Sequence, residues 1–243
     1  VFLFFAPENY RLLFALTVIP GALAVITLTR VPETAAVPDV PEAPVVPTAG
    51  LPRSLKKYLW ILAIFTLGNS SDAFLLLQLS HAGVPLMGLT ALWSAQHALK
   101  ALITMQSGML SDRLGRRTLI AGGWFIYAVV YAGIPLSTAV TALVGWFLAY
   151  STYAAAVEGS EKALIADLTP DRLRATAYGW LASVQGSGAL APSVFFGALW
   201  QWLGAPVAFM TGAALALVAA ILLLLTLHDG HRRGDHRRHV GNV

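Results

Sequence analysis

At 243 residues, 57% hydrophobic and only 12% charged, with a mean hydropathy of +0.68, the chain has more apolar surface than one water-soluble core of that length can hide. Most of it therefore belongs in lipid. Its net charge of +4 matters less than where the basic residues fall, and the absence of cysteine excludes disulfides, thiolate metal sites and cysteine nucleophiles.

The chain opens on Val-Phe-Leu-Phe-Phe-Ala, too short to span a bilayer and without the basic front of a signal peptide. It reads as the tail of a helix that begins upstream, and the sequence as part of a longer chain. Apolar stretches of spanning length then run near residues 12–29, 57–79, 86–110, 118–136, 140–164, 173–199 and 206–227, which predicts an all-α polytopic bundle of about seven membrane helices. Between the first two, Pro32, Pro38, Pro41, Pro44, Pro47 and Pro52 recur among Ala, Val and acidic residues, so 31–55 reads as an extended linker.

Basic residues sort the loops into two sets. Arg30, Arg53, Lys56 and Lys57 flank the linker, Arg113, Arg116 and Arg117 follow the third stretch, Arg172 and Arg174 follow the fifth, and arginines fill the tail. The alternate loops at 80–85, 137–138 and 201–205 carry no Lys or Arg. By the positive-inside rule the linker, the Arg loops and the C-terminus are cytoplasmic, in what is expected to be a bacterial inner (plasma) membrane.

Residues 108–120, Gly-Met-Leu-Ser-Asp-Arg-Leu-Gly-Arg-Arg-Thr-Leu-Ile, read as a tight loop. Gly108 and Gly115 permit a reversal, Asp112 is suited to accept from a helix N-terminus, and the three arginines anchor the loop inside. This Gly, Asp-Arg, Gly-Arg-Arg skeleton resembles the signature loop between the second and third helices of a half in the major facilitator superfamily. The stretch Leu168-Thr-Pro-Asp-Arg-Leu-Arg-Ala-Thr-Ala-Tyr-Gly179 is similar to that superfamily's join between helices ten and eleven, with Ala175 where glycine is usual.

The resemblance implies a secondary transporter that moves a small organic solute by rocking two six-helix halves, built from inverted repeats, about a central site. It implies that residues 1–30 hold the end of helix five and helix six of the N-terminal half. Residues 31–55 become the central cytoplasmic linker, 56–227 the six-helix C-terminal half, and 228–243 a basic tail. Its expected partners are a small-molecule substrate, protons, the lipid bilayer and the missing N-terminal half, with efflux ahead of uptake and no cofactor.

Charges within the apolar stretches mark the candidate site, because each costs about 2.5–3.5 kcal/mol on insertion scales and persists where it meets a cavity or a partner. They are Asp72, Lys100 and Glu158. Trp93, Gln96, His97, Lys100, Thr104 and Ser107 recur at helical spacing and predict a polar stripe lining a central cavity. At a helical rise of about 1.5 Å per residue, His97 and Lys100 lie about 16 and 21 Å below the outer end of their stretch and Asp72 about 13 Å below its own. Those depths predict an Asp72, His97, Lys100 cluster with two readings, a proton relay or a static ion pair. Asn69 belongs to Gly68-Asn-Ser-Ser-Asp72, which reads either as an unwound substrate-binding segment or as a simple kink. Tyr150 and Tyr153 face the cavity or merely pack.

Near the cytoplasmic end, Glu161 and Asp167 are expected to pair with Asp112, Arg113, Arg116 and Arg117 in a gating latch, or as ordinary interfacial ion pairs. The tail, 228–239, alternates His with Arg pairs, and those cations disfavour a metal and favour anionic lipid headgroups. No nucleic-acid fold, nucleophile motif or metal cluster stands out, so neither nucleic-acid binding nor an enzyme is expected. Seven spans also fit a seven-helix receptor or a retinal photoprotein. The latter needs a buried Lys in its last helix, and 206–227 has none.

Overall fold

A computed structural model of the chain describes residues 10–30 and 50–226, apart from the side chains of residues 10, 13, 14, 28, 112 and 187–189. The N-terminal stub, the linker up to residue 49, the His/Arg tail and the Asp112 side chain lie outside the described residues. The described elements are helical: α1 (Tyr10–Thr29), α2 (Arg53–Gly68), α3 (Ala73–His81), α4 (Leu86–Leu114), α5 (Arg116–Leu136), α6 (Val140–Leu168), α7 (Arg174–Leu203) and α8 (Ala205–Thr226), with a single 3-10 turn at Asp171–Leu173. The fold is an all-α membrane bundle.

Among the described residues, four stretches are long and apolar enough to cross a bilayer: Arg53–His81, which joins α2 to α3, together with α5, α6 and α8. The 29-residue α4 and 30-residue α7 have the length but dilute their apolar content, α4 with Gln96, His97, Lys100 and Gln106 among others. Large apolar side chains point outward, Trp60, Met105, Leu136, Leu190 and Trp202 each at least three-quarters exposed. Such a surface suits lipid and further helices rather than water. α1 is exposed wherever its side chains are described.

The core lies where α5 crosses α8 and α6, with α2 laid against α8 and α7. α8 meets its neighbours through small residues, Ala208, Gly212, Ala213, Ala216, Ala219 and Ala220. Small residues allow helix backbones to approach closely where lipid supplies no hydrophobic drive. The approach is closest at α2: a Cβ on Gly212 would stand 2.9 Å from the Gly68 carbonyl oxygen, and one on Gly68 2.8 Å from the Leu215 Cβ.

Two expectations change. The loop of 108–120 is one residue long, because nothing between Gly108 and Leu114 breaks the helix. α4 runs through Gly108, and the reversal falls on Gly115 alone at φ +85°, left-handed backbone that glycine adopts without cost. The stretch expected at 57–79 is two helices, parted at Asn69–Asp72 where four polar residues follow Gly68.

Candidate functional site

The break between α2 and α3 frees the Gly68 carbonyl, which a continuous helix would satisfy, and brings in the polar side chains of Asn69, Ser70 and Asp72; at membrane depth each needs a protein partner. Four tyrosines supply one each. Tyr127 donates to the Gly68 carbonyl at 2.9 Å, Asn69 Nδ2 donates to the Tyr153 hydroxyl at 3.1 Å, Ser70 and Tyr131 share a 3.0 Å bond, and Tyr150 donates to Asp72 Oδ1 at 2.7 Å. Tyr127 and Tyr131 are one turn apart on α5, and Tyr150 and Tyr153 one turn apart on α6, so two helical faces converge on the gap. The rings also pack on one another, Tyr127 stacking on Tyr131 with centroids 4.0 Å apart and meeting Tyr153 edge-on at 5.0 Å. Asp72 also opens α3, where a negative charge is favoured by the helix dipole.

Beside the break lies a cavity of about 450 Å³ between α2, α4, α6 and α7. Leu62, Phe65 and Val157 form its apolar wall, while Asn69, Lys100, Glu158 and Glu161 are among its polar groups. Lys100 Nζ pairs with Glu158 Oε2 at 2.8 Å, bridging α4 to α6, and Lys162 reaches the other Glu158 oxygen at 4.0 Å. Glu161 is 4% exposed and accepts 2.8 Å from Gln185 Nε2 on α7. The Tyr58 hydroxyl faces the same carboxyl without a hydrogen bond of good geometry. Among the described residues Glu161 makes no ion pair.

The expected Asp72, His97, Lys100 cluster is not formed. α4 packs chiefly on α6 and only lightly on α3, so Lys100 meets Glu158 while Asp72 meets Tyr150. His97 instead bonds the Trp93 carbonyl at 3.0 Å and lies against the Trp93 ring, both exposed. Gln96 is buried with Oε1 unpartnered among the described residues, and neither it, Trp93, His97 nor Asp72 lines the cavity. The polar stripe thus straddles two environments. Of the two tyrosines weighed from sequence, Tyr153 lines the cavity and Tyr150 is buried beside it.

At the α4–α5 turn Arg116 pairs with Asp167 and donates to the Ala163 carbonyl at 2.8 Å, while Arg117 donates to the Leu224 carbonyl at 2.8 Å. Both arginines open α5, where the helix dipole disfavours cations, and carboxylate and C-terminal carbonyl oxygens offset that cost. Arg113 is exposed at the end of α4. Glu161, expected in this set, faces the cavity instead. It lies six residues before Asp167, so the two point in different directions around α6.

Sequence reasoning did not single out Tyr127, Tyr131, Ser70 or Gln185. The i, i+4 tyrosine pair on α5 was a signal, repeated at i, i+3 on α6.

The major facilitator superfamily model matches residues 77–241, from α3 through α8 and into the tail. The chain belongs to the major facilitator superfamily (MFS). It is 31% identical over 180 residues to an uncharacterized MFS-type transporter of Methanocaldococcus jannaschii, covering 72% of this chain and 45% of that protein. It is 30% identical over 128 residues to a class E tetracycline resistance protein of Escherichia coli, covering 51% of this chain and 30% of that one. The match therefore spans less than half the length of either relative. MFS membership decides against the receptor and photoprotein alternatives and places the chain in a family of membrane transporters.

Proposed function

We propose that the protein is a secondary active transporter that exports a small amphipathic organic solute in exchange for protons, with the cavity between α2, α4, α6 and α7 as the part of its site held in this half. Glu161 carries the reading. Keeping a carboxylate charged inside a bundle without a cation is expensive, and a group that holds its charge only while a proton or a substrate balances it can couple the two. A passive uptake facilitator has no use for such a group. The likeness to a protein named for tetracycline resistance supports export. The mostly apolar wall supports an amphipathic solute over a sugar, which needs more hydrogen-bonding side chains.

On this reading residues 56–227 are one six-helix half, joined through a cytoplasmic linker at 31–55 to a second half whose far end includes α1. Exposed Trp93 and His97 face that second half. The C-terminus is cytoplasmic in an inner membrane. Asp72 and Asn69 hold the helix break, and the Arg116 and Arg117 contacts tie the cytoplasmic ends of α6 and α8 to the α4–α5 turn as a latch that loosens when the halves rock.

The test is proton movement in proteoliposomes of the full-length protein, challenged with cationic and neutral amphipathic compounds and with sugars. Amphipathic compounds are expected to evoke proton flux and sugars none. Solute movement with no proton flux would defeat the coupling, and flux evoked by sugars would defeat the solute class.

A further inference from the structure

We infer that this cavity selects a monovalent organic cation, and that the Lys100–Glu158 ion pair sets the selection by leaving the wall one negative charge in excess. The inference rests on the cavity being the solute site proposed above.

The charges on the wall are two carboxylates, Glu158 and Glu161, and one ammonium, Lys100. Lys100 is committed to Glu158 at 2.8 Å. The other groups that face Glu161 are Gln185 from α7 and Tyr58 from α2, both neutral, and from α6 itself Tyr153, Glu158 and Lys162. Lys162 is exposed, turned to the far oxygen of Glu158, and does not line the cavity. With the pair intact, an ionised Glu161 is thus the uncompensated charge, and a single cationic centre completes the balance.

The hydrogen-bonding character agrees. Four donors on the wall are already engaged: Thr66 on the Leu62 carbonyl at 2.7 Å, Asn69 Nδ2 on Tyr153, Gln185 Nε2 on Glu161 and Lys100 on Glu158. Among the described residues Asn69 Oδ1 is a buried acceptor with no partner. A buried acceptor left unpaired favours a ligand that brings a donor. An anion would meet an ammonium already engaged and a carboxylate beside it, while Leu62, Phe65 and Val157 suit an apolar body around a cationic head.

The pair makes an unusual prediction, because its two members have opposite effects. Replacing Glu158 frees Lys100 to neutralise Glu161, and the wall loses its excess charge. Replacing Lys100 leaves two carboxylates, and the excess doubles. Removing both returns the wall to one charge.

Binding to the solubilised full-length protein is measured with tetraphenylphosphonium and with tetraphenylborate, which share a shape and differ in sign. The wild type is expected to prefer the phosphonium by about tenfold or more, the scale of one unit charge at contact range in a partly screened site. Glu158→Gln should bring that ratio towards one, Lys100→Gln should raise it, and the double variant should return it to the wild-type value. If the pair is only a strut, both single variants weaken both probes together and the double variant restores nothing, which overturns the inference. Should a variant fail to fold, the wild-type ratio alone decides, and a ratio of one or a preference for borate overturns it as well. Opposite shifts of the two single variants without any substrate-evoked proton flux would remove the coupling proposed above and leave the charge selection standing.

Discussion

The helix break and the cavity beside it hold polar groups at similar depth in the same bundle, yet they are treated in opposite ways. At the break Gly68, Asn69, Ser70 and Asp72 each meet one tyrosine hydroxyl, and only the Asn69 amide oxygen, which faces the cavity side, is left over among them. In the cavity, Lys100 is committed to Glu158, and Glu161 has no ion pair among the described residues. A largely satisfied polar cluster fixes a conformation, whereas one with an unbalanced charge has capacity left for a ligand or a proton. On the proposed function, the difference places Asp72 among the residues that shape the bundle and Glu161 among those that work in it.

The largest expected effect breaks the cavity side of the comparison. Glu161→Gln keeps an acceptor for Gln185 and removes the ionisable group, so substrate-evoked proton flux is expected to fall by about a hundredfold, the lower end of what a positioned proton carrier supplies. Thermal stability measured in parallel is expected to be unchanged or raised, because a costly buried acid is gone. Next comes the crossing that places the break. Gly212→Ala sets a Cβ 2.9 Å from the Gly68 carbonyl and 3.0 Å from the Tyr131 ring, and overpacking of this kind costs about 1–3 kcal/mol, read as a lower unfolding temperature in detergent.

Tyr150→Phe acts on the break in a comparable range. It strips the donor from Asp72, and a carboxylate left without its partner costs about 1–3 kcal/mol, whereas Tyr131→Phe leaves only a hydroxyl pair unmade at about 1 kcal/mol. If the two variants prove equally costly by thermal melts, Asp72 is not held by Tyr150 in the way described. The smallest effect belongs to the α4–α5 turn. Arg116→Ala loses a half-exposed ion pair and one carbonyl bond, and the transport rate is expected to change by no more than about fivefold, with substrate affinity unmoved.

Much of this was legible in the sequence. Apolar length located the helices, and the polar run Asn69-Ser-Ser-Asp72 carried unwinding as one of its two readings, within a stretch otherwise expected to be a single span. The partners were not legible, because they depend on how each helix is rotated and on which helix it lies against. Depth along a straight axis put Asp72 level with His97, but α4 leans on α6, so Lys100 found Glu158 and Asp72 was left to Tyr150. Glu161 was grouped with Asp167 by proximity in the chain. A helix turns about 600° over the six residues between them, so nearness in sequence carried no information about facing. The Arg116–Asp167 pair was legible because both residues sit at helix ends, where rotation matters least.

The most direct measurement compares Glu161→Gln with Asp72→Asn in full-length protein reconstituted in proteoliposomes, following substrate-evoked proton flux across a range of pH. Flux lost in Glu161→Gln and retained with its pH profile in Asp72→Asn is the predicted result. Flux retained in Glu161→Gln and lost in Asp72→Asn, with both proteins folded, would contradict it and return the proton to the helix break.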